Sequence, residues 1–140
     1  MATTKRRSKL ELQFEKILQD NEVDYEYEVT KVPYTVPQSD HKYIVDWTIR
    51  NGVLIETKGW LENITERRKY QLIKEQHPEI DIRFVFANPQ KACGGVKMTH
   101  AEWATKYNFK YCSINDKEQI LSWLKEKQKP VAIVSKKKTS

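Results

Sequence analysis

Cysteine is scarce: Cys93 and Cys112 are the only two in 140 residues. They form no C-x-x-C pair, and neither has a metal-site partner at suitable spacing. This excludes a disulfide-framed secreted scaffold and a thiolate metal centre, and it points to a reducing compartment. Long apolar runs are also missing, since none approaches the roughly 18 residues of a membrane helix. The first residues lack the hydrophobic stretch of a secretory leader. Internal repeats are absent as well. A soluble, cytoplasmic protein is the expectation.

What is present is enough apolar residue for one core and an excess of positive charge. Hydrophobic residues make up 39% of the chain and aromatics 11%, against 31% charged residues, a net charge of +6 and a pI near 9.2. A chain of this length is read as one domain burying about two-thirds of its unfolded surface. The surplus is concentrated in KRR at 5–7, RRK at 67–69 and KKK at 136–138. Three such runs on one folded domain suit an anionic partner such as nucleic acid. The ends, 1–7 and 129–140, read as basic and flexible, flanking a domain over 8–128.

Ser8-Lys9-Leu10-Glu11 has the form of a capping box, and Leu10, Phe14, Ile17 and Leu18 continue it at helical spacing, predicting a helix over 9–21. YEYEVT then alternates aromatic and acidic residues as a strand with one buried face does. In KVPYTVPQS, Pro33 and Pro37 each remove a backbone donor and favour extended geometry before them. The segment 31–39 is therefore read as an extended bridge that resists folding back. Two strands follow, over 43–49 and 53–58. Asn63 caps a helix ending before Pro78, and IDIRFVFA is an apolar strand. Thr99-x-x-Glu102 opens a short helix, 109–112 a small strand, and Asn115-x-x-Glu118 the last helix. The order α-β-β-β-α-β-α-β-α gives an α/β domain with a mixed sheet, and its strand-helix-strand unit suggests a parallel pair.

Within VDWTIRNGVLIETKGW the chemistry turns on one residue of register. Glu56 and Lys58 share a face, about 6–7 Å apart along the strand. With a two-residue Asn51-Gly52 turn, Asp46 would oppose Thr57 and the charges would divide between two faces. With a three-residue loop and Gly52 in a left-handed bulge, Ile49 pairs Val53 and Asp46 stands opposite Glu56. The bulged loop is the expectation. Two carboxylates that close stay ionised together around a cation, and oxygen ligands suit Mg2+, with Mn2+ as substitute. Lys58 beside them can orient water or hold a phosphate. An ordinary solvated hairpin is the competing reading, weighed against the apolar neighbours Val45, Trp47, Val53, Leu54 and Ile55.

This D-x9-E-x-K pattern, within that order of elements, resembles the PD-(D/E)xK nuclease superfamily. More closely the chain is similar to the phage endonuclease I family of Holliday-junction resolvases. The likeness is carried by LE at 10–11, YEYE at 25–28, KVPYTVPQSDHKY at 31–43, Asp46, NGVLIETKG at 51–59 and RRKYQLIKEQHPEIDIRFVF at 67–86. Val45 stands where the family usually has proline. The resemblance implies a restriction-endonuclease-like mixed sheet flanked by helices, in a domain-swapped dimer exchanging across 31–39.

It also implies Mg2+-dependent hydrolysis of phosphodiesters in four-way and branched DNA, in host cytoplasm if the protein is phage-encoded. Asp46, Glu56 and Glu11 would hold metal, Lys58 would support the nucleophile, and Glu11 would come from the other chain. Read from the residues alone, Glu11 is the capping partner of Ser8. Lys5, Arg6, Arg7, Arg67, Arg68 and Lys69 become candidate phosphate contacts. A nuclease acting on linear duplex and a non-catalytic DNA-binding module are the alternatives. His41 and His77 receive no catalytic role. The four tryptophans are read as core or sheet cover, Trp60 excepted.

Overall fold

The computed structural model describes residues 8–36 and 39–127, and the backbone of 135–136. Helix α1 (Lys9–Asp20) begins where expected: Ser8 Oγ accepts from the Glu11 amide while Glu11 reaches back to the Ser8 amide, so two orphan donors are satisfied reciprocally. Its Leu10, Phe14 and Leu18 are buried. Then follow β1 (Tyr25–Tyr27), β2 (Thr30–Val36), β3 (Ser39–Ile44), β4 (Trp47–Ile49) and β5 (Leu54–Lys58). The remainder is α2 (Ile64–Gln76), β6 (Ile82–Phe86), α3 (His100–Lys106), β7 (Lys110–Ser113), α4 (Lys117–Leu124) and β8 (Ser135–Lys136). Asn63 and Thr99 cap α2 and α3 as their sequences require. The cap of α4 is Asp116 rather than Asn115: its side chain accepts from the Gln119 amide. Both residue types serve equally well there, so composition could not separate them.

The main sheet runs β1-β4-β5-β6-β7, antiparallel from β1 to β5 and parallel from β5 to β7. This is the mixed α/β architecture expected. Because successive strand residues face opposite sides, β5 sends Leu54 into one core and Ile55 into another. Leu54 joins Tyr70, Ile73, Trp103 and Ala104 from α2 and α3. Ile55 joins Leu10, Phe14, Ile120 and Trp123 from α1 and α4. Three of the tryptophans, Trp47, Trp103 and Trp123, are core residues as expected, and Trp60 is 44% exposed.

The expectation that 31–39 resists folding back is corrected. β2 and β3 form an antiparallel ladder from Lys31↔Ile44 to Val36↔Ser39, with β8 on the other edge of β2. Pro33 costs this ladder nothing. Its carbonyl accepts from His77 and the Thr35 backbone bonds Gln76, so the backbone groups of Pro33 and Thr35 face α2 rather than β3. Two positions of the tail expected to be loose, 135 and 136, are likewise paired in a strand.

Candidate active site

The β4–β5 hairpin takes the bulged register. Trp47 pairs Ile55 and Thr48 pairs Leu54. The Ile49 amide donates to Val53 O (3.0 Å) and the Gly52 amide to Ile49 O (2.9 Å). Gly52 takes φ +94°, the left-handed position of the bulged loop, where a side chain is penalised. The paired register ends at Trp47↔Ile55; Asp46, just before β4, turns its carboxylate to Thr57, while that of Glu56 meets Tyr43 and Tyr70.

Asp46, at the entry to β4, is 9% exposed. Its Oδ2 accepts from the Thr57 amide (3.0 Å) and the Thr57 hydroxyl (2.9 Å), and Trp47 Nε1 donates to that hydroxyl in turn. Burial, then the charge of Glu56, pushes its pKa up to about 8 despite those bonds. Glu56 lies on the α2 side of β5. Tyr43 donates to its Oε1 and Tyr70 to its Oε2 (2.9 Å). Burial raises its pKa as well, against Lys58, the two phenols and Lys69.

Glu11 belongs both to the helix cap and to the acid cluster. It completes the capping box, accepts from the Tyr27 hydroxyl (3.3 Å), and brings its carboxylate to Asp46. Carboxylate oxygens of Glu11, Glu28 and Asp46 lie within 4.8 Å of one another. Glu11 is thus beside Asp46 within a single chain. Glu28 was missed because the alternation of YEYE assigned it to the outer face of a strand. Instead β1 stops at Tyr27, Glu28 turns at φ +52°, and its amide donates to Asp46 O (3.0 Å). No local signal in the sequence marks that turn. Such an all-oxygen set suits a hard divalent cation. Glu56, expected as a metal ligand, stands outside that trio.

Lys58 is held by Glu66, Nζ to Oε2 at 2.5 Å. Burial alone would lower its pKa, but Glu56 and Glu66 outweigh that and raise it, keeping a positive charge at the rim. Glu66, in the first turn of α2, was not singled out by the sequence reading. Of the basic candidates, Arg68 is exposed and Lys69 half-buried, with Lys69 Nζ lying 5.3 Å and 4.8 Å from the ring centres of Tyr43 and Tyr70. Arg67 is corrected: it is 6% exposed and donates to Leu61 O and Gly94 O, tying two loops together rather than facing a phosphate. Lys5, Arg6 and Arg7 lie outside the described residues. His41 stacks on Tyr34, and His77 closes α2.

A family model described as phage endonuclease I matches residues 1–140. The chain belongs to that family. Within it, "Endonuclease I" of Escherichia phage T7 is 40% identical over 126 residues, covering 89% of this chain and 82% of the relative. "Endodeoxyribonuclease 1" of Enterobacteria phage T3 is 39% identical over 126 residues, covering 89% and 80%. An endonuclease needs phosphoryl charge neutralised, and Glu11, Glu28 and Asp46 form the kind of oxygen set that can hold a divalent cation. No helix among the described residues is long and apolar enough to cross a membrane.

Proposed function

We propose that this chain hydrolyses phosphodiester bonds in four-way and branched DNA with Mg2+, or Mn2+ in its place, acting inside the host cell. The observation that carries this is the convergence of Glu11, Glu28 and Asp46 on one point beside Glu56 and Lys58. A bound divalent cation supplies charge neutralisation at a phosphoryl oxygen and lowers the pKa of water. The chain's own residues do the rest. Asp46, fixed by Thr57, and Glu11, fixed by its helix cap, would hold the cation. Glu28 would close that shell, and Glu56 would complete it from β5. Lys58, on the same face as Glu56, would meet the substrate phosphate or the attacking water once its bond to Glu66 is exchanged.

Exposed Arg68 and half-buried Lys69, with Lys5, Arg6 and Arg7 from the N-terminal run, would contact DNA backbone, giving salt-dependent affinity with little base reading. Two strands must be cut at a junction, so the active species is proposed to be a homodimer. Exchange of α1, β1 and β2 together between copies would keep the Glu11–Asp46 approach.

The deciding assay compares a synthetic four-way junction with a matched linear duplex, in Mg2+ and in chelator. Preferential Mg2+-dependent junction cleavage supports the reading. Equal cutting of both substrates would make the chain a linear-duplex nuclease, and binding without cutting a DNA-binding module. Gel filtration tests the dimer. Co-folding Glu11→Gln with Asp46→Asn protomers tests exchange, because shared sites restore one working centre and unshared sites restore none.

A further inference from the structure

Glu11 is held in a helix cap and Asp46 by a backbone amide, but Glu56 is fixed by side chains. Both of its oxygens accept phenol hydrogen bonds, Oε1 from Tyr43 and Oε2 from Tyr70. The phenols come from separate elements, β3 and α2, and meet edge to face with ring centres 5.6 Å apart. Tyr70 is further locked edge-on against Phe84 at 5.0 Å. Both tyrosines are buried, at 4% and 0% exposure, so each hydroxyl must find a partner inside the protein. Lys69 lies over both rings, and a cation on a phenol face draws electron density from the ring and strengthens the hydroxyl as a donor.

An ionised carboxylate has about four lone-pair sites. One phenol on each oxygen fills one lobe of each and fixes the plane in which the others point.

We infer that Tyr43 and Tyr70 are positioning residues, which set the direction in which Glu56 offers its remaining lone pairs to a divalent cation. This rests on the nuclease reading above and goes beyond it, because it assigns the orientation of one ligand to two side chains that touch neither DNA nor metal. Partners that orient a metal-binding carboxylate are worth about tenfold or more in metal affinity or activity.

The test is a pair of variants, Tyr70→Phe and Tyr43→Phe, each losing one oxygen and keeping its ring. Mn2+ affinity is read by electron paramagnetic resonance of the free ion, without DNA. Junction cleavage is then followed against Mn2+ concentration. Each variant is expected to weaken Mn2+ binding about tenfold and to raise the half-saturating Mn2+ for cleavage to match. The rate at saturating Mn2+ should stay within about threefold of the parent, because excess metal compensates for a misdirected ligand. Mn2+ binding unchanged in a folded variant would overturn the proposal and leave the phenols as core packing. Should one variant fail to fold, the other decides alone. A parent protein that neither binds Mn2+ nor cuts a junction would instead mark failure of the nuclease reading.

Discussion

Two charge clusters among the described residues, each centred on one buried member, are built on opposite plans. In the first, Arg83 is 1% exposed and receives two carboxylates. Asp81 accepts from its Nε and Nη2 at 3.0 and 2.8 Å, and Glu126 from Nη1 and Nη2 at 2.7 and 2.8 Å. Each nitrogen of the guanidinium donates to a carboxylate, and the ring of Trp123 lies 5.3 Å away. In the second, Glu11, Glu28 and Asp46 bring like charges to within 4.8 Å, with Glu56 across the hairpin. The first cluster shifts its groups toward their charged forms: Glu126 is lowered, chiefly by its bond to Arg83. The second pushes Asp46 the other way, toward its neutral form. A cluster that carries its own counter-charge is architecture, joining β6 to the residues after α4. A cluster of converging acids gains from a cation arriving from outside.

The contrast can be broken from either side. Arg83→Ala would strand Asp81 and Glu126 without their buried partner, and a loss of about 3–5 kcal/mol is expected. Urea unfolding should show it, while cleavage per folded molecule at low temperature stays near the parent value. If activity fell and stability did not, the two clusters would have been assigned the wrong way round.

Asp46→Asn should do the reverse, cutting junction cleavage by at least about a hundredfold while stabilising the metal-free protein. The sign follows from its pKa of about 8, well above that of an unfolded aspartate. Between about pH 4 and 8 the native state keeps a proton that the unfolded chain has lost, so metal-free stability falls as pH rises through that window. The asparagine variant should lose this slope. Saturating Mg2+ should oppose it in the parent, since cation binding favours the ionised acid. Melting temperatures at pH 5 and 8.5, with chelator and with Mg2+, give all four comparisons. A parent whose metal-free stability rises over that range would refute the assignment.

How much of this contrast could be read from sequence differs between its parts. The β4–β5 register was legible because Gly52 follows Arg50-Asn51, and a left-handed glycine there gives a three-residue loop. Local chemistry decided it. Helix starts were legible for the same reason, apart from the one-residue choice between Asn115 and Asp116. Glu28 was not, because its position depends on a non-glycine residue at φ +52° that Asp46 O holds from a distant part of the chain. The turned-in Arg67 was hidden likewise. A basic triplet on a helix looks solvated until the carbonyls of Leu61 and Gly94 arrive from two loops. The bridge at 31–39 misled because proline counts as a lost donor only when its edge is the paired one, and that depends on where α2 packs.

The glycine itself supplies a finer test. Gly52→Ala keeps the loop length but places a β-carbon at φ +94°, at an expected cost of about 1–2 kcal/mol. Because the loop also sets which residues of β4 and β5 oppose each other, activity should fall further than this loss of stability alone would bring about. Stability lost with full activity in the remaining folded fraction would show that the register is held elsewhere, by Trp47 and Thr57.

The smallest effect is expected at Arg50, on the same loop and carrying the same charge as Arg83. It pairs with Asp24 at 2.7 Å, as short as any bond Arg83 makes, yet its side chain is 68% exposed and that of Asp24 72%. At that exposure water already solvates both ions, and forming the pair costs side-chain entropy, so Arg50→Ala should change stability by no more than about 0.5 kcal/mol. It should respond to added salt where Arg83→Ala does not. The two arginines then differ severalfold in energy at equal contact distance. That difference isolates burial, rather than pairing, as what makes Arg83 structural and the acid cluster receptive. A loss at Arg50 approaching that at Arg83 would remove burial from the explanation.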